Sequence, residues 1–307
     1  MKLLISTLLF SAFIYFGSFA QNSTGAHAAD KQGDLPIFSF GVITDIQYAD
    51  QDASGTRFYR SSLSKLGNAL TELKKDSAQF IVNLGDMIDK GFASYKPVMD
   101  IIESSGVKTY HITGNHDYSV EPALKEKLPI LNEFKSGFYS FVFRKIRFVF
   151  LNGNELSMYA STNESVKKQT TDLIAKLKEK GEINAFVWNG GMSDIQLGWL
   201  NKQLSEASSK KEKVILLCHF PVVPDSADNL FNYKEIVKYL GNFHNIIAWF
   251  NGHSHGGNYG VANKTHFVTF KGMLETENEN SFALVKVFKD RLEIQGFGRE
   301  VSRTLNF

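Results

Sequence analysis

Apolar and polar positions alternate along this chain with two periods, one typical of strands and the other typical of helices. Short apolar runs rich in β-branched residues, such as 37–46, predict buried strands. Leucines three and four positions apart within 58–75 predict an amphipathic helix. The same patterns predict strands at 37–46, 79–84, 108–113, 138–143, 146–151, 214–218, 246–251, 266–270, 282–288 and 292–297, and helices at 58–75, 95–104, 166–180, 194–208 and 233–240.

The order of these elements indicates the fold class. Strands and helices alternate through most of the chain, and the C-terminal part is mostly strand. Such βαβ alternation with antiparallel additions predicts an α/β or α+β fold with a two-sheet core. No further linker, low-complexity tract or obvious repeat follows residue 36, so we expect a single domain over 36–307.

The first twenty residues have a different composition from the rest. Lys2 is their single charge, residues 3–16 are apolar, and small residues lead to Ala20. This order is typical of a signal peptide. An uncleaved membrane anchor is the alternative, although the apolar run is short for the roughly 20 residues that a span needs. We expect cleavage after Ala20, a polar linker over 21–35, and a secreted or periplasmic protein with no membrane contact after cleavage.

Overall composition excludes several classes of protein. The 307 residues carry 34 Lys and Arg against 32 Asp and Glu, and 43% are hydrophobic, which is ordinary for a globular chain. A disordered chain, a collagen-like repeat and a disulfide scaffold are therefore excluded. The near-neutral balance also argues against nucleic acid as a partner. The one cysteine, Cys218, lies in an apolar strand pattern and is expected to be a buried, inert thiol.

Polar residues follow five of the predicted strands. They are Asp45-Ile46-Gln47, the segments 85–89 (GDMID), 114–117 (GNHD) and 252–255 (GHSH), and the single residue His219. In open α/β sheets, ligands bind beyond the carboxyl ends of the strands. Each group alone also fits a helix cap, a turn or a loop.

Together, the five groups supply carboxylates, side-chain amides and imidazoles. Such a set can hold two divalent cations bridged by a carboxylate and a hydroxide, and the central Asp86 suits the bridge. A bridging hydroxide is nucleophilic near neutral pH, because two cations lower its pKa, and it can attack phosphorus in line.

In this order the motifs D-x-[HQ], GDxxD, GNH[DE], a lone His and GHxH resemble those of calcineurin-like metallophosphoesterases. The resemblance implies a four-layer α/β/β/α sandwich with two packed mixed sheets. It implies a leaving-group acid or transition-state stabiliser, His116, and a residue that orients it, Asp117. The implied ligands are Asp45, Gln47, Asp86 and His255 for the first metal, and Asp86, Asn115, His219 and His253 for the second.

Further segments resemble one branch of that family, the manganese-dependent ADP-ribose/CDP-alcohol diphosphatases. They include GVITDIQYAD, GTRFYRSSL, NGGMSDIQLGWL and the PDSADN stretch, and the resemblance runs from about Phe40 to the C-terminus. The implied reaction is hydrolysis of the phosphoanhydride bond of ADP-ribose, CDP-alcohols or related nucleoside diphosphate compounds. The implied partner is therefore a small-molecule nucleotide substrate.

Two positions bear on the metal. Gln47 stands where most of the wider family has His, and its amide oxygen favours Mn²⁺ over softer ions, with Mg²⁺, Zn²⁺ and Fe²⁺ as alternatives. Asp89 stands where purple acid phosphatases have a Tyr ligand, which argues against an Fe³⁺–tyrosinate site.

The substrate-binding residues have two interpretations each. Arg57 and Arg60 flank the start of a predicted helix, where they form either a phosphate seat or a solvated helix end. Tyr59 fits base stacking or core packing. Asn189-Gly190 resembles a family loop near the site and also fits a simple turn.

Two other functions stay open. One is a different metallophosphoesterase reaction, on phosphodiesters or phosphomonoesters. The other is an inactive metal-binding interaction module. The presence of a suitable residue at every expected ligand position argues against this second alternative. The oligomeric state is open, and we expect a monomer. The remaining histidines are expected to be structural: His27, His111, His244 and His266.

Overall fold

The computed structural model describes residues 35–131 and 137–307. The described strands are β1 (Phe38–Ile43), β2 (Ile81–Asn83), β3 (Thr109–His111), β4 (Tyr139–Phe143), β5 (Ile146–Phe150), β6 (Lys213–Leu217), β7 (Ile246–Asn251), β8 (Asn258–Ala262), β9 (Thr265–Thr269), β10 (Ser281–Val287), β11 (Arg291–Gly298) and β12 (Arg303–Asn306). The described α-helices are α1 (Ser61–Lys75), α2 (Tyr95–Ser105), α3 (Glu164–Glu179), α4 (Asp194–Ser209) and α5 (Tyr233–Leu240). Short 3₁₀ helices cover Phe92–Ser94, His116–Tyr118, Pro122–Lys127 and Pro129–Leu131.

These strands form two mixed sheets of six strands each. The first has the order β12-β11-β10-β1-β2-β3, and the second has the order β4-β5-β6-β7-β9-β8. In the first sheet β1, β2 and β3 are parallel, and Gly41 pairs with Ile81. In the second sheet β5, β6, β7 and β9 are parallel. The carboxyl ends of the central strands of each sheet therefore lie at one edge of that sheet.

A core of phenylalanine fills the space between the two sheets. Phe40 and Phe80 stack at 5.4 Å, and Phe148 meets Phe40 edge-on at 5.2 Å. Offset and edge-to-face arrangements are the favoured geometries of aromatic pairs. All three rings belong to a buried cluster that draws residues from both sheets. This core explains much of the unusual count of 26 Phe.

Helices cover the outer face of each sheet. The predicted leucine stripe of α1 is real, since Leu66, Leu70 and Leu73 are buried in a cluster that includes α2 and the first sheet. Helices α4 and α5 share a second cluster with the other sheet. The predicted four-layer α/β/β/α sandwich is therefore confirmed.

Two smaller predictions, a hairpin and a buried cysteine, agree with the structure. The hairpin of β4 and β5 turns at Arg144 and Lys145, whose φ angles of 46° and 67° suit a tight two-residue turn. Cys218 is fully buried, and burial raises the pKa of its thiol to about 12, so the expected inert state is confirmed. Strands β8 and β12 were not predicted.

The predicted signal peptide (1–20) lies outside the described residues, and so does the predicted linker (21–35) apart from Leu35. None of the described helices is both long and apolar enough to cross a membrane.

Candidate metal centre

The polar groups after the central strands of both sheets meet at one end of the sandwich. The loops after β1 and β2 continue side by side, since Gln47 N–H donates to the Asp86 carbonyl at 2.9 Å. The loop after β7 is tied to the first sheet, since His253 N–H donates to Asp45 Oδ2 at 3.1 Å. Five separate chain segments therefore present their side chains to one site.

Four predicted metal ligands have a left-handed backbone. The φ angles are 48° at Asp45, 43° at Gln47, 55° at Asp86 and 69° at His253. Non-glycine residues rarely adopt these values, because Cβ crowds the backbone. Backbone strain of this kind concentrates at functional sites. Here each strained residue directs a polar side chain toward the same centre.

Glycines allow the strained loops to approach one another. A Cβ at Gly114 would lie 2.0 Å from Asp86 Oδ1, and one at Gly252 would lie 2.4 Å from Asp45 Oδ2. The glycines of the GNHD and GHSH segments are therefore required by the position of the two carboxylates.

Buried polar atoms without hydrogen-bond partners test whether these residues fit a metal. Such atoms cost about 1–3 kcal/mol each when they are left unpaired. Among the described residues, four predicted ligands carry one: Asp45 Oδ1, Gln47 Oε1, Asn115 Oδ1 and His219 Nε2. Carboxylate and amide oxygens and neutral imidazole nitrogens are the donors that divalent cations take in proteins. The residues therefore fit metal ions.

Asp86 lies at the middle of the group. Its Oδ2 accepts a hydrogen bond from Gln47 Nε2 at 2.9 Å and lies 3.3 Å from His219 Nε2. Gln47 belongs to the first predicted ligand set and His219 to the second. Possible ligand atoms of Asp86, His219 and His253 all lie within 4.8 Å of one another. This position is the one that a bridging carboxylate needs.

Hydrogen bonds at one nitrogen of each histidine leave the other nitrogen for the centre. His219 Nδ1 bonds to the Leu84 carbonyl at 2.8 Å, and His255 Nδ1 bonds to Glu275 Oε1 at 2.7 Å, which leaves Nε2 in both cases. His253 is reversed, because its Nε2 contacts Asn189 Oδ1 at 3.1 Å and Nδ1 remains. Such outer partners fix the tautomer and orientation of a metal-binding histidine.

The buried charges at the centre shift one another's pKa. Burial alone would raise the pKa of Asp86, but the nearby imidazoles of His219 and His116 outweigh burial and lower it. Burial alone would lower the pKa of His255, but the neighbouring carboxylates of Asp45 and Glu275 raise it to about 10. Burial, with the charge of His219, lowers the pKa of His253 well below its ordinary value. The acidic and imidazole side chains of the site therefore lie close enough to shift one another's pKa.

The predicted partner of His116, Asp117, is not the residue that pairs with it in the structure. Asp117 was expected to orient His116, but its carboxylate accepts main-chain N–H bonds from Gly114 at 2.8 Å and from Asp86 and Met87 at 2.9 Å. The Nδ1 of His116 pairs instead with the carboxylate of Asp89. Asp89 is the second carboxylate of the GDxxD motif, and this position was the sequence feature that could have identified it as the partner of His116.

A cavity of about 530 Å³ opens over the predicted ligands Gln47, Asn115, His253 and His255. Of the five predicted substrate residues, Arg57 lines this cavity. Tyr59 is buried against Ala49 and Leu274, as the core interpretation predicted.

The other predicted substrate residues lie elsewhere. Arg60 forms exposed ion pairs with Asp50 and Asp52 and does not line the cavity. Asn189 touches the site through His253. Gly190 has a structural role, because a Cβ there would lie 2.1 Å from the Gly153 carbonyl oxygen.

Sequence reasoning missed several residues at the site. Trp188, Asp228 and Ser254 line the cavity, and Glu275 orients His255. Trp188 immediately precedes the NGG segment, and Asp228 lies in the PDSADN stretch, so both were close to segments that carried the family resemblance.

Comparison with known proteins agrees with this geometry. Residues 38–257 match the family model described as calcineurin-like phosphoesterase. The chain therefore belongs to the calcineurin-like phosphoesterase family.

Individual relatives match over most of their length. The manganese-dependent ADP-ribose/CDP-alcohol diphosphatase of Xenopus laevis is 30% identical, covering 90% of this chain and 92% of that protein. The protein of the same name from Mus musculus is 31% identical over 89% of this chain and 94% of its own. A dimetal phosphatase from Danio rerio has a similar structure, with a TM-score of 0.80, 25% identity, and coverage of 89% of this chain and 99% of its own.

Family and site together define the class of protein. The chain is a phosphoesterase hydrolase of a family that uses two divalent metal ions, and the residues predicted to bind them lie together at one end of its four-layer sandwich. The assignment of each ligand to one metal or the other stays a prediction.

Proposed function

We propose that this protein is a manganese-dependent diphosphatase that cleaves the phosphoanhydride bond of ADP-ribose, CDP-alcohols or related nucleoside diphosphate compounds. Its support is the end-to-end likeness to relatives that carry this name. The observation that carries the proposal is the cavity, which combines the metal ligands with a cation, Arg57, and an aromatic side chain, Trp188. A nucleotide has matching parts, since it joins phosphates to an aromatic base.

The donor set supports manganese. Asp45, Asp86, Gln47 and Asn115 offer oxygen, and oxygen-rich sites suit Mn²⁺ and Mg²⁺ better than sulfur-rich sites do. Two such cations, when bound, would neutralise charge on the phosphoryl oxygens and activate water.

The chain's own side chains would serve the phosphates and the leaving group. Arg57 carries a guanidinium, which binds phosphate oxygens in a fork. Burial lowers the pKa of His116, but the carboxylates of Asp86 and Asp89 outweigh burial and raise it. An imidazolium at this position can donate a proton to the leaving oxygen.

A substrate panel tests the proposal. ADP-ribose, CDP-choline, AMP and bis-p-nitrophenyl phosphate would each be assayed with Mn²⁺, Mg²⁺ and Zn²⁺. We expect AMP and ribose 5-phosphate from ADP-ribose, and CMP and phosphocholine from CDP-choline, with Mn²⁺ giving the highest rates. Hydrolysis confined to AMP or to the diester would overturn the diphosphatase assignment and favour the other phosphoesterase reactions.

We also propose that the protein acts outside the cytoplasm after cleavage behind Ala20. The support is the composition of residues 1–20. Mass spectrometry of the protein from the extracellular or periplasmic fraction should give a chain that starts at Gln21. A cytoplasmic protein that retains residues 1–20 would contradict this.

A further inference from the structure

The segment 272–276 passes beside the candidate metal centre. It belongs to the connection between β9 of the second sheet and β10 of the first. Met273 N–H donates to the Thr44 carbonyl at 3.2 Å. Leu274 N–H donates to the Asp45 carbonyl at 2.9 Å. Asp45 is a predicted ligand with a left-handed φ of 48°, so these two bonds support a backbone conformation that is strained by itself.

The same segment contacts two other residues of the site. Gly272 N–H donates to the His255 carbonyl at 3.1 Å, and Glu275 Oε1 bonds to His255 Nδ1 at 2.7 Å. Glu275 also forms an antiparallel bridge with Arg57, the cation that lines the cavity. One short segment therefore contacts a predicted ligand from each sheet and the residue proposed to bind phosphate.

The carbonyl oxygens of this segment converge on one ammonium. Lys65 Nζ donates to the carbonyls of Met273 at 2.5 Å, Thr276 at 2.7 Å and Glu275 at 3.2 Å, and the Leu274 carbonyl lies 3.4 Å away. An ammonium has three N–H donors, so it can satisfy the three nearer carbonyls at once. Converging carbonyl dipoles repel one another unless a cation lies between them. The path of the segment therefore depends on Lys65.

Packing alone does not account for a lysine at this position. Lys65 is 3% exposed and lies on the buried face of α1 beside Leu66. Lysine is almost never fully buried without partners, because its charge loses hydration. A methionine would fill a similar volume without that cost. The contacts of the ammonium with segment 272–276 are therefore the feature that requires a lysine.

We propose that Lys65 is a positioning residue for the metal centre. Its ammonium sets the path of segment 272–276. That segment in turn holds Asp45, His255 and Arg57 in place relative to one another. Lys65 is not among the residues that line the cavity, so it acts through the segment and not on the substrate. The inference holds for any phosphate ester substrate, but its Arg57 part rests on the proposed function.

Lys65→Met tests this role, because methionine keeps most of the side-chain bulk and removes the ammonium. We expect calorimetry to show Mn²⁺ binding weakened by about tenfold, as when an outer partner of a metal ligand is lost. With Mn²⁺ saturating, we expect kcat for ADP-ribose within about twofold of the wild-type value and KM raised by about fivefold. This split follows because a displaced Arg57 weakens binding of the ground-state phosphates.

Lys74→Met is the matched control. Lys74 lies on the same helix, is exposed, and donates to the Ser105 carbonyl at 2.9 Å, outside the cavity lining. Its Mn²⁺ affinity and KM should equal those of the wild-type protein. If Lys65→Met keeps the wild-type Mn²⁺ affinity or the wild-type KM and changes only the free energy of unfolding, its role is structural and the proposal is wrong.

Lys65→Gln carries the test if Lys65→Met does not fold. The neutral amide of glutamine offers two donors in place of three, so the segment should be held less firmly. We expect Mn²⁺ binding weakened by about three- to fivefold, a smaller loss than in Lys65→Met. Wild-type Mn²⁺ affinity in Lys65→Gln would overturn the proposal.

The proposed reaction can fail without affecting this test. If the wild-type protein hydrolyses no diphosphate, the Mn²⁺ titration still compares Lys65→Met with the wild-type protein. Calorimetry of the Mn²⁺-loaded protein with inorganic phosphate then takes the place of KM. Weaker binding of both Mn²⁺ and phosphate in Lys65→Met would support the positioning role, and equal binding of either would refute it.

Discussion

Asp117 holds the main-chain amide of Asp86 at 2.9 Å across 31 positions of sequence. The same carboxylate binds the amides of Gly114 and Met87. It therefore clamps the loop after β2 to the loop after β3, and the central ligand Asp86 takes its strained position within that clamp. Asp89, three residues after Asp86, instead faces the cavity through His116.

Two substitutions separate these roles. We predict that Asp117→Ala lowers the free energy of unfolding by about 2–4 kcal/mol, because it leaves buried amides without acceptors. We predict that Asp89→Asn lowers kcat by about 10- to 100-fold, because an orienting partner of a reactive histidine is weakened. Denaturant unfolding and steady-state kinetics measure the two quantities.

Each variant is the control for the other. The free energy of unfolding of Asp89→Asn should lie within about 1 kcal/mol of the wild-type value, because loss of this carboxylate removes no hydrogen bond to the main chain. If Asp89→Asn unfolds as easily as Asp117→Ala and keeps full kcat, the assignment of roles is wrong.

Metal binding should stabilise the fold. In the part of the chain that the structure describes, four buried polar atoms of the predicted ligands have no hydrogen-bond partner, and a cation would satisfy them. At a free Mn²⁺ concentration of a hundred times Kd, the gain is about 2.7 kcal/mol. We predict a rise in Tm with Mn²⁺ in the wild-type protein and a much smaller rise in Asp86→Asn. Arg60→Ala, outside the cavity, should respond like the wild type. A Tm independent of Mn²⁺ in all three proteins would argue against the centre.

Glu275 should control metal affinity through His255. Its carboxylate holds His255 Nδ1 at 2.7 Å, so Nε2 faces the centre. We predict that Glu275→Gln weakens Mn²⁺ binding by about 10- to 100-fold, the usual effect of losing such a partner. Calorimetric titration with Mn²⁺ measures this directly. Glu277→Gln, an exposed neighbour, is the matched control, and equal affinities in the two variants would remove Glu275 from this role.

The fold and the grouping of the predicted ligands at one site could both be predicted from the sequence, for a local reason. Each predicted ligand follows a predicted strand, and parallel strands bring their carboxyl ends to one edge. The distance between Asp45 and His253 in sequence therefore did not matter, because the topology brings them together. Strands β8 and β12 escaped prediction because they are edge strands, and β8 has mostly exposed positions with no buried alternation.

The outer partners of the ligands were harder to predict. Asn189 reaches His253 across 64 positions, and Glu275 reaches His255 across 20. The hydrophobic periodicity of the strands does not predict contacts between these residues, and each side chain is also common in ordinary turns. Asp89 and Asp117 both belong to motifs that the sequence shows. Which of the two pairs with His116 depends on the direction of each side chain from its loop, which the sequence does not determine.

Lys65 should make the free energy of unfolding depend on pH, separately from the titration of the metal ligands. It is only 3% exposed, and its ammonium donates to the carbonyls of Thr276 at 2.7 Å and Glu275 at 3.2 Å. Burial, with a smaller contribution from Arg299, lowers its pKa from 10.5 to about 8. Between these values the unfolded chain binds more protons than the folded one, so this group makes the free energy of unfolding rise with pH.

We predict that this rise disappears in Lys65→Met. The penalty for burying the ammonium is fully present below pH 8, and it is relieved as the pH rises toward 10.5, the value of the unfolded chain. The difference in unfolding free energy, wild type minus variant, should therefore increase between pH 7 and pH 10 in urea denaturation. Taking the difference removes the titration of every other group. A difference that stays constant, or that falls, would mean that the four carbonyls of residues 273–276 hold Lys65 fully charged despite its burial.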